Sequence, residues 1–332
     1  MQAIRLHQTG GPEVLALEEV PTPTPGPGQV LVEVAYAGVG MPDVLVRTGR
    51  YAWMPPMPAI PGIEISGVVC EVGTDVPADL IGQRVWVSAR DLPFRGNGYA
   101  QFLLAPIEAL HVLPENVGLQ QAACLSNYQV AWHLLHSAPR GTWYQHVLVW
   151  AAAGGVGSAV VDIARMLGKT VVGLTRGPEK QALVRQLGAA QALDYRQDHA
   201  ALTQAVLSLS EGRGMDLVLD PVGGPDFARN VDFLAPLGLL VNYGLIKGHP
   251  SDDYANALKS RFGDSLAFRY FSMHTFDQQP QVRREVTRTL LEWLGAGTIR
   301  PHIHDVLPLR EAATAHQWLE SGQVCGKLLL KP

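Results

Sequence analysis

The 332-residue chain holds only three cysteines, Cys70, Cys124 and Cys325, widely separated in sequence. Neither a disulfide framework nor a Cys-x-x-Cys metal cluster can be assembled from them, so a reducing cytoplasm is the expected compartment. Charge is sparse too. Asp, Glu, Lys and Arg make up 17% of the residues, the formal net charge is −4, and no run of Lys or Arg occurs. The basic patch of a nucleic-acid binder is therefore missing, and no nucleic-acid partner is expected. The start, Met1-Gln-Ala-Ile-Arg-Leu-His7, lacks the charged head and apolar core of a secretory signal. The one long apolar stretch is broken by glycines and makes a poor membrane span, so no membrane association is expected either.

What is present falls into two textures, and the length suits two domains. The first part reads as β-rich: Gln29-Val-Leu-Val-Glu-Val-Ala-Tyr36, Ile65-Ser-Gly-Val-Val-Cys-Glu-Val72 and Arg84-Val-Trp-Val-Ser88 stand between Gly and Pro turns, with no helical period before about residue 119. From Gln120 onward, short apolar strands alternate with amphipathic helices, the pattern of a parallel sheet covered on both faces. The expected order is strand 147–152, helix 158–167, strand 170–175, helix 179–187, then strands 192–195, 216–220 and 239–243 with helices 199–209 and 225–234 between them. After residue 264 the regularity is lost, and helix 282–294, strand 302–307, helix 310–320 and strand 327–330 follow. No internal repeat is visible.

The glycines that break the apolar run carry the first functional signal. Ala152-Ala153-Gly154-Gly155-Val156-Gly157 joins an apolar strand to a helix starting at Ser158, the opening of a dinucleotide-binding βαβ unit. Gly154 lets the backbone approach a pyrophosphate, Gly157 lets the helix pack close on the strand, and Ala152 replaces the usual first glycine. The anion would rest on free N–H groups at the helix N-terminus. The second strand ends Gly173-Leu-Thr-Arg-Gly-Pro178, with no carboxylate before Glu179. An NAD enzyme places Asp or Glu there for the ribose hydroxyls, whereas Thr175 and Arg176, assisted by Lys180 and Tyr195, suit the 2′-phosphate of NADPH. The alternative reading makes Arg176 and Lys180 solvated surface charges.

At this point the chain resembles the medium-chain dehydrogenase/reductases, and within them the zinc-free quinone oxidoreductases related to zeta-crystallin. The resemblance runs over nearly the whole length and rests on Gly10-Gly-Pro-Glu-Val-Leu15, Ala37-Gly-Val-Gly-Met-Pro-Asp43, Arg47-Thr-Gly-Arg-Tyr51, Pro61-Gly-Ile-Glu-Ile-Ser-Gly-Val-Val69, Gly98-Tyr-Ala100, Ala151-Ala-Ala-Gly-Gly-Val-Gly157, Asp220-Pro-Val-Gly223 and Gly326-Lys-Leu-Leu-Leu330. It implies a GroES-like β-rich catalytic domain built from residues 1–123 and 264–332. A Rossmann doubly wound parallel-sheet domain, residues 124–263, would bind NADPH, with the cofactor cleft at the junction. Ala153, Gly154, Gly155, Val156, Gly157, Thr175, Arg176, Lys180, Tyr195, Val222, Tyr243, Gly244, Asn127 and Lys327 are the cofactor-binding candidates. The resemblance also implies a homodimer formed through the sheet edge, with Ser265-Leu-Ala-Phe-Arg-Tyr-Phe271 as edge strand.

Zinc alcohol dehydrogenases of the same superfamily place a Cys ligand where Gly40 stands and a His ligand where Ile63 stands. No cysteine lies at the third position near Ser126-Asn127, and the loop from Arg90 to Gly98 lacks a four-cysteine zinc lobe. His302 and His304 share one face of a strand, but two ligands make no zinc site. No bound metal is expected, and without a Lewis acid reduction of an electrophilic acceptor, a quinone or an α,β-unsaturated carbonyl, is the better reading than alcohol oxidation. By resemblance to zinc-free enoyl reductases, Tyr51 is the catalytic candidate, as proton or hydrogen-bond donor; the alternative is a tyrosine packed in the structure. Gly40, Trp53, Met54, Phe94 and Tyr128 are candidate pocket residues, with Met57 nearby, though the aromatic and sulfur side chains suit a core equally. Gly40 and Val130 depart from the Asn and Thr that many relatives carry, and Asp43 reads equally as a helix cap. An NADPH-binding structural or regulatory protein with little catalysis is the alternative function.

Overall fold

The computed structural model describes all 332 residues, and they form two compact units: Met1–Ser126 with Arg284–Pro332, and Asn127–Arg283.

The first unit is built around a seven-stranded sheet that takes strands from both ends of the chain. Its order is Ile303–Pro308, Lys327–Lys331, Gln29–Val39, Glu64–Val72, Arg84–Ser88 and Leu110–Val112, with Phe102–Pro106 also paired to Gln29–Val39. Leu328, Leu329 and Leu330 lie antiparallel to Val39, Gly38 and Ala37, so the last residues of the chain complete a sheet begun near its start. Val30, Val32, Val34, Ile65, Val69, Val85, Val87, Leu103, Leu328 and Leu330 meet in one core. Each large aliphatic side chain buried there contributes roughly 1.5–3 kcal/mol relative to exposure. Strand residues of β-branched type dominate this core, as the first-part texture predicts.

One element of this unit escaped the sequence pattern, which predicts no helix before about residue 119. Met41–Arg47 forms a short helix, with Pro42 in its first turn and Asp43, Val44, Val46 and Arg47 all buried. Seven residues make under two turns, too few for a 3.6-residue period to show against the surrounding strands.

The second unit carries a six-stranded, all-parallel sheet in the order Gln191–Asp194, Thr170–Thr175, His146–Trp150, Met215–Asp220, Leu234–Asn242, Ala267–Tyr270. In order along the chain these are strands three, two, one, four, five and six, the doubly wound dinucleotide-binding topology. Its central strands are buried without a break along almost their whole length, as expected when helices cover both faces. The sheet does not stop at residue 263, where the sequence reading ended this domain: Ala267–Tyr270 pairs in register with Leu239–Asn242. At the other boundary Cys124, Leu125 and Ser126 stay with the first unit, where the Ser126 N–H donates to Glu64 Oε2 (2.9 Å). Two local differences have simple causes. The first crossover helix begins at Gly155 and not at Ser158, because the last glycines of the turn already form its opening residues. Residues 225–234, expected as an α-helix, form a 3₁₀ segment, Gly224–Phe233, kinked at Asp226 just after Pro225. The helix Tyr254–Ser260, capped by Asp253, was likewise too short to be expected.

Candidate active and cofactor site

The order of the parallel strands reverses between His146–Trp150 and Met215–Asp220, and ligands of such sheets bind at the carboxyl ends of strands beside that point. There the chain leaves Trp150, passes Ala151 at φ 51°, and enters the helix Gly155–Met166 through Gly154 in extended conformation. Gly157 has a structural need for its missing side chain: a Cβ would lie 2.3 Å from the Ala151 carbonyl oxygen. At Gly155 a Cβ would come within 2.4 Å of Asn127 Nδ2, so that glycine lets the Asn127 amide lie against the start of the helix. The N–H groups of Gly155, Val156 and Gly157 belong to the first turn, which has no preceding helical carbonyl to serve them. The arrangement suits a pyrophosphate. Ala152 and Ala153 are buried, and Ala152 takes part in close packing against Gly173, where a Cβ would meet it at 2.9 Å.

The second strand delivers Thr175, buried, and Arg176, exposed, at its end; Gly177 at φ 77° then turns the chain into the helix Pro178–Gln186, which carries Lys180 in its first turn. Tyr195 follows the third strand. Its N–H donates to the Thr175 carbonyl (3.2 Å) and its ring leans on Trp150 with centroids 5.7 Å apart. Here the structure adds two residues that the sequence reading missed. Asp194 stands in register with Thr175 and accepts the Gly177 N–H (3.2 Å), while Arg196 grips its carboxylate through Nε (3.0 Å) and Nη2 (2.6 Å). The Arg196 fork holds the Asp194 carboxyl far below the usual carboxylate range. A carboxylate thus does stand beside the strand end, but a cation already neutralises it. Its only trace in the sequence is the Asp-Tyr-Arg order.

The neighbouring strand ends form the rest of this wall. Asp220 accepts the N–H groups of Val222 (2.5 Å) and Gly223 (2.9 Å), and the Tyr243 N–H donates to the Asp220 carbonyl (3.0 Å). Burial raises the Asp220 carboxyl above its ordinary value and pushes the Tyr243 hydroxyl up as well. A Cβ at Gly244 would lie 2.8 Å from the Pro221 oxygen, so these two loops touch through glycine. Tyr128 is engaged elsewhere in the unit: it is buried, and its hydroxyl donates to Asp162 Oδ2 (2.8 Å), joining two helices.

Tyr51, Gly40, Trp53, Met54, Phe94 and Lys327 belong to the other unit. Tyr51 follows the helix Met41–Arg47, its N–H donating to the Leu45 carbonyl (3.1 Å), and its ring is part of the core. Trp53 is exposed, its ring 5.7 Å from that of Tyr51 and capped by the Arg95 guanidinium at 5.1 Å. Phe94 and Met57 are exposed as well, while Met54 packs on the core. Gly40 faces Ile63, where a Cβ would meet Ile63 Cδ1 at 3.4 Å. Neither residue is a ligand, and no group of three His, Cys, Asp or Glu side chains in the chain is arranged to hold a metal. His304 instead packs edge-on against Trp318. Lys327 is buried in an ion pair with Glu64 Oε1 (2.5 Å), and Glu64 also accepts from Trp86 Nε1 (3.3 Å).

Asp43 lies beneath these residues, fully buried. Its Oδ2 accepts the Gly40 N–H (2.9 Å) and its Oδ1 the Gly62 N–H (2.9 Å). Burial raises its carboxyl to about 7, against the pull of those two N–H groups and of Lys327. Tyr99 bonds Asp43 and lies 3.2 Å from His316 Nε2. Burial, and after it the nearby Arg47, lower His316 to about 3.

Together the fold and these residues define a class: a dinucleotide-binding α/β domain inserted into a GroES-like β domain, with the metal-ligand positions of the zinc enzymes filled by Gly40 and Ile63. Residues 26–153 match the alcohol dehydrogenase GroES-like domain family, and residues 187–330 the zinc-binding dehydrogenase family. A 2-haloacrylate reductase of a Burkholderia species is 31% identical, over 100% of this chain and 99% of its own. The quinone oxidoreductase of Mus musculus is 30% identical over 99% of this chain and 97% of its own. Among solved structures, a mycobacterial protein complexed with NADPH superposes with a TM-score of 0.87 at 30% identity, and Escherichia coli quinone oxidoreductase complexed with NADPH with 0.87 at 26%, each over 100% of both chains. The chain belongs to the zinc-free quinone oxidoreductase family of the medium-chain dehydrogenase/reductases.

Proposed function

We propose that the chain is an NADPH-dependent, zinc-independent reductase that passes hydride to a quinone or to the β-carbon of an α,β-unsaturated carbonyl. The observation that carries the cofactor half is the pairing of the Gly154–Gly157 turn with a strand end that presents Thr175 and Arg176 and whose one neighbouring carboxylate, Asp194, is neutralised by Arg196. The first-turn N–H groups hold the pyrophosphate. Arg176, Thr175 and Lys180 hold the 2′-phosphate in charge-assisted bonds, with Tyr195 alongside. The bound reduced nicotinamide supplies the hydride. On the acceptor side, Trp53 and Phe94 are exposed aromatic side chains, and the Tyr51 hydroxyl donates a hydrogen bond or a proton to the oxygen that becomes negative. Since Gly40 and Ile63 cannot ligate, that oxygen depends on hydrogen bonding. The names of relatives that reduce quinones or a haloacrylate support the same reading.

Loss of reduced-nicotinamide absorbance against a panel of quinones and enones tests it. Turnover of at least one class with NADPH is expected. Tight NADPH binding with no turnover on any member would replace it with a binding role.

A homodimer through the edge strand Ala267–Tyr270 belongs to the same proposal. That strand ends the parallel sheet and exposes Tyr270; an unpaired sheet edge of this kind favours pairing with a second copy. No helix is long and apolar enough to cross a membrane. Light scattering giving a monomer mass would remove the dimer.

A further inference from the structure

The helix Met41–Arg47 is held at both ends by one other helix. At its C-terminal end the buried Arg47 pairs with Glu320 Oε1 (2.7 Å) and donates to the Gly10 carbonyl (2.9 Å). At its N-terminal end Asp43 is bonded to Tyr99, and Tyr99 to His316. His316 and Glu320 lie four residues apart on the helix Ala312–Glu320, hence on one face of it. The direction of the bonds follows from what is left over. His316 Nδ1 is buried without a partner. Of the two tautomers, one would strand an N–H donor there and the other only a lone pair, and buried orphan donors are the rarer and costlier defect. So Nε2 carries the proton and donates to the Tyr99 oxygen, and the Tyr99 hydroxyl donates to Asp43.

Asp43 in turn joins two backbone segments that are remote in sequence. Its two oxygens take the N–H of Gly40 and the N–H of Gly62. Gly62, at φ 108°, sits so close to the next segment that a Cβ would lie 2.6 Å from Gly98 Cα; the Pro61 carbonyl takes the Tyr99 N–H (2.9 Å). Three chain segments and a C-terminal helix therefore meet at one carboxylate. Tyr51 hangs from the far end of the helix that this carboxylate caps.

Resting on the reductase reading above, we propose that Asp43 is a positioning residue: by stapling the Gly40 and Gly62 turns together and tying them through Tyr99 to His316, it sets the seat of the Tyr51 hydroxyl. One carboxylate thus cross-links the backbone of Gly40 to the backbone of Gly62, the residue before Ile63.

The test uses the full-length protein. In Asp43→Asn one backbone N–H faces an amide NH₂ instead of an oxygen. Amide hydrogen exchange at Gly40 and Gly62 should quicken, a readout that needs no turnover. With 2-cyclohexenone as acceptor, kcat should fall about 10- to 100-fold, the scale of a small misplacement, with the KM for NADPH unchanged. The same substitution made in a Tyr51→Phe background should cost little further, because the group it positions is gone. Tyr99→Phe, which keeps the ring, should give a smaller loss of the same kind, and serves if Asp43→Asn fails to fold. Unchanged exchange at both glycines, or an equal fold-loss with and without the Tyr51 hydroxyl, overturns the proposal. If the unmodified protein reduces no acceptor, the reductase reading falls and Tyr51 loses its role, while the exchange result still judges the staple by itself.

Discussion

The two units of the chain carry their candidate functional groups in different ways. In the inserted parallel-sheet unit, the groups proposed to meet the cofactor are largely backbone: first-turn N–H donors at a helix start built from Gly154, Gly155 and Gly157. In the unit made from both chain ends, the arrangement hangs on buried polar side chains from distant places, Asp43, Glu64, Tyr99, His316 and Lys327. A backbone site is local in sequence. A side-chain network is assembled only when the sheet brings residue 327 beside residue 64 and residue 316 beside residue 99.

The contrast can be broken at its sharpest point by Gly157→Val. The added atoms have no room beside the Ala151 carbonyl, so the helix start must move and NADPH affinity should fall by more than about 100-fold, measurable by calorimetry. Retained affinity would mean that the turn does not shape the site. In the other unit Tyr51→Phe removes one hydroxyl and leaves the packing. With an enone acceptor kcat should fall roughly 10²–10⁴-fold, the usual contribution of a general acid, while NADPH affinity holds. Quinone turnover should survive better, because the hydroquinone anion needs no protein donor. Loss of both activities with a lowered melting temperature would make Tyr51 a packing residue.

Arg176→Ala tests one of the two charged side chains, Arg176 and Lys180, that are proposed to complement the backbone site. The KM for NADPH should rise about tenfold or more, corresponding to roughly 1.5–3 kcal/mol for a bond to a charged group, with NADH nearly unaffected. Equal losses with both cofactors would assign Arg176 to the fold.

A further comparison concerns Asp43 and His316, whose shifts oppose each other. Asp43 is raised from 3.8 to about 7, so the stability it contributes is present below pH 4 and lost as pH rises towards 7. His316 is lowered from 6.5 to about 3, so its contribution is present above pH 6.5 and lost as pH falls towards 3. Between about pH 4 and 6.5 the folded pair holds one proton, on Asp43, and the unfolded pair also holds one, on His316; the pair adds no slope. Asp43→Asn should then make stability rise with pH by about 1.4 kcal/mol per unit, and His316→Gln should make it fall by a similar amount. Melting temperatures across this range, in which Lys327, Glu64, Tyr99 and Arg47 are the other ionisable neighbours, check the signs. Parallel curves for both variants would show that the two groups do not oppose one another.

Much of the second unit was legible from residues alone. The glycine turn, the strands at 170–175 and 216–220 and the helix near 179–187 follow from periodicity and turn residues, because each depends on neighbours within a dozen positions. The final strand Ala267–Tyr270 was assigned to a sheet edge by resemblance, but its sequence alone could not say that it extends this sheet. In the first unit the strands at 29–36, 65–72, 84–88, 302–307 and 327–330 were legible, but Gln2–Arg5, Ala16–Glu19, Phe102–Pro106 and Leu110–Val112 were not named, and the helix Met41–Arg47 was missed, since its face is defined by burial of Arg47 and Asp43, residues that a hydrophobic pattern scores as solvent-facing. Lys327 stands in the sequence as a cofactor-binding candidate, and nothing there singles out Arg196. Their carboxylate partners, Glu64 in one case and Asp194 in the other, give each a structural engagement.

The amino-acid sequence by itself determined the strand-glycine-helix unit and its suitability for a dinucleotide, the lack of a ligating side chain at Gly40 and Ile63, and the two-part composition of the chain. These are properties of short windows, set by which residues have side chains, charges or free N–H groups. Only the tertiary structure decided that the two chain ends share one sheet, that Arg196 cancels Asp194 beside Thr175, and that Asp43 is a buried junction of four segments. Those outcomes depend on distances between residues far apart along the chain, and on burial, which turns a carboxylate ordinary in water into one whose every oxygen must find a donor.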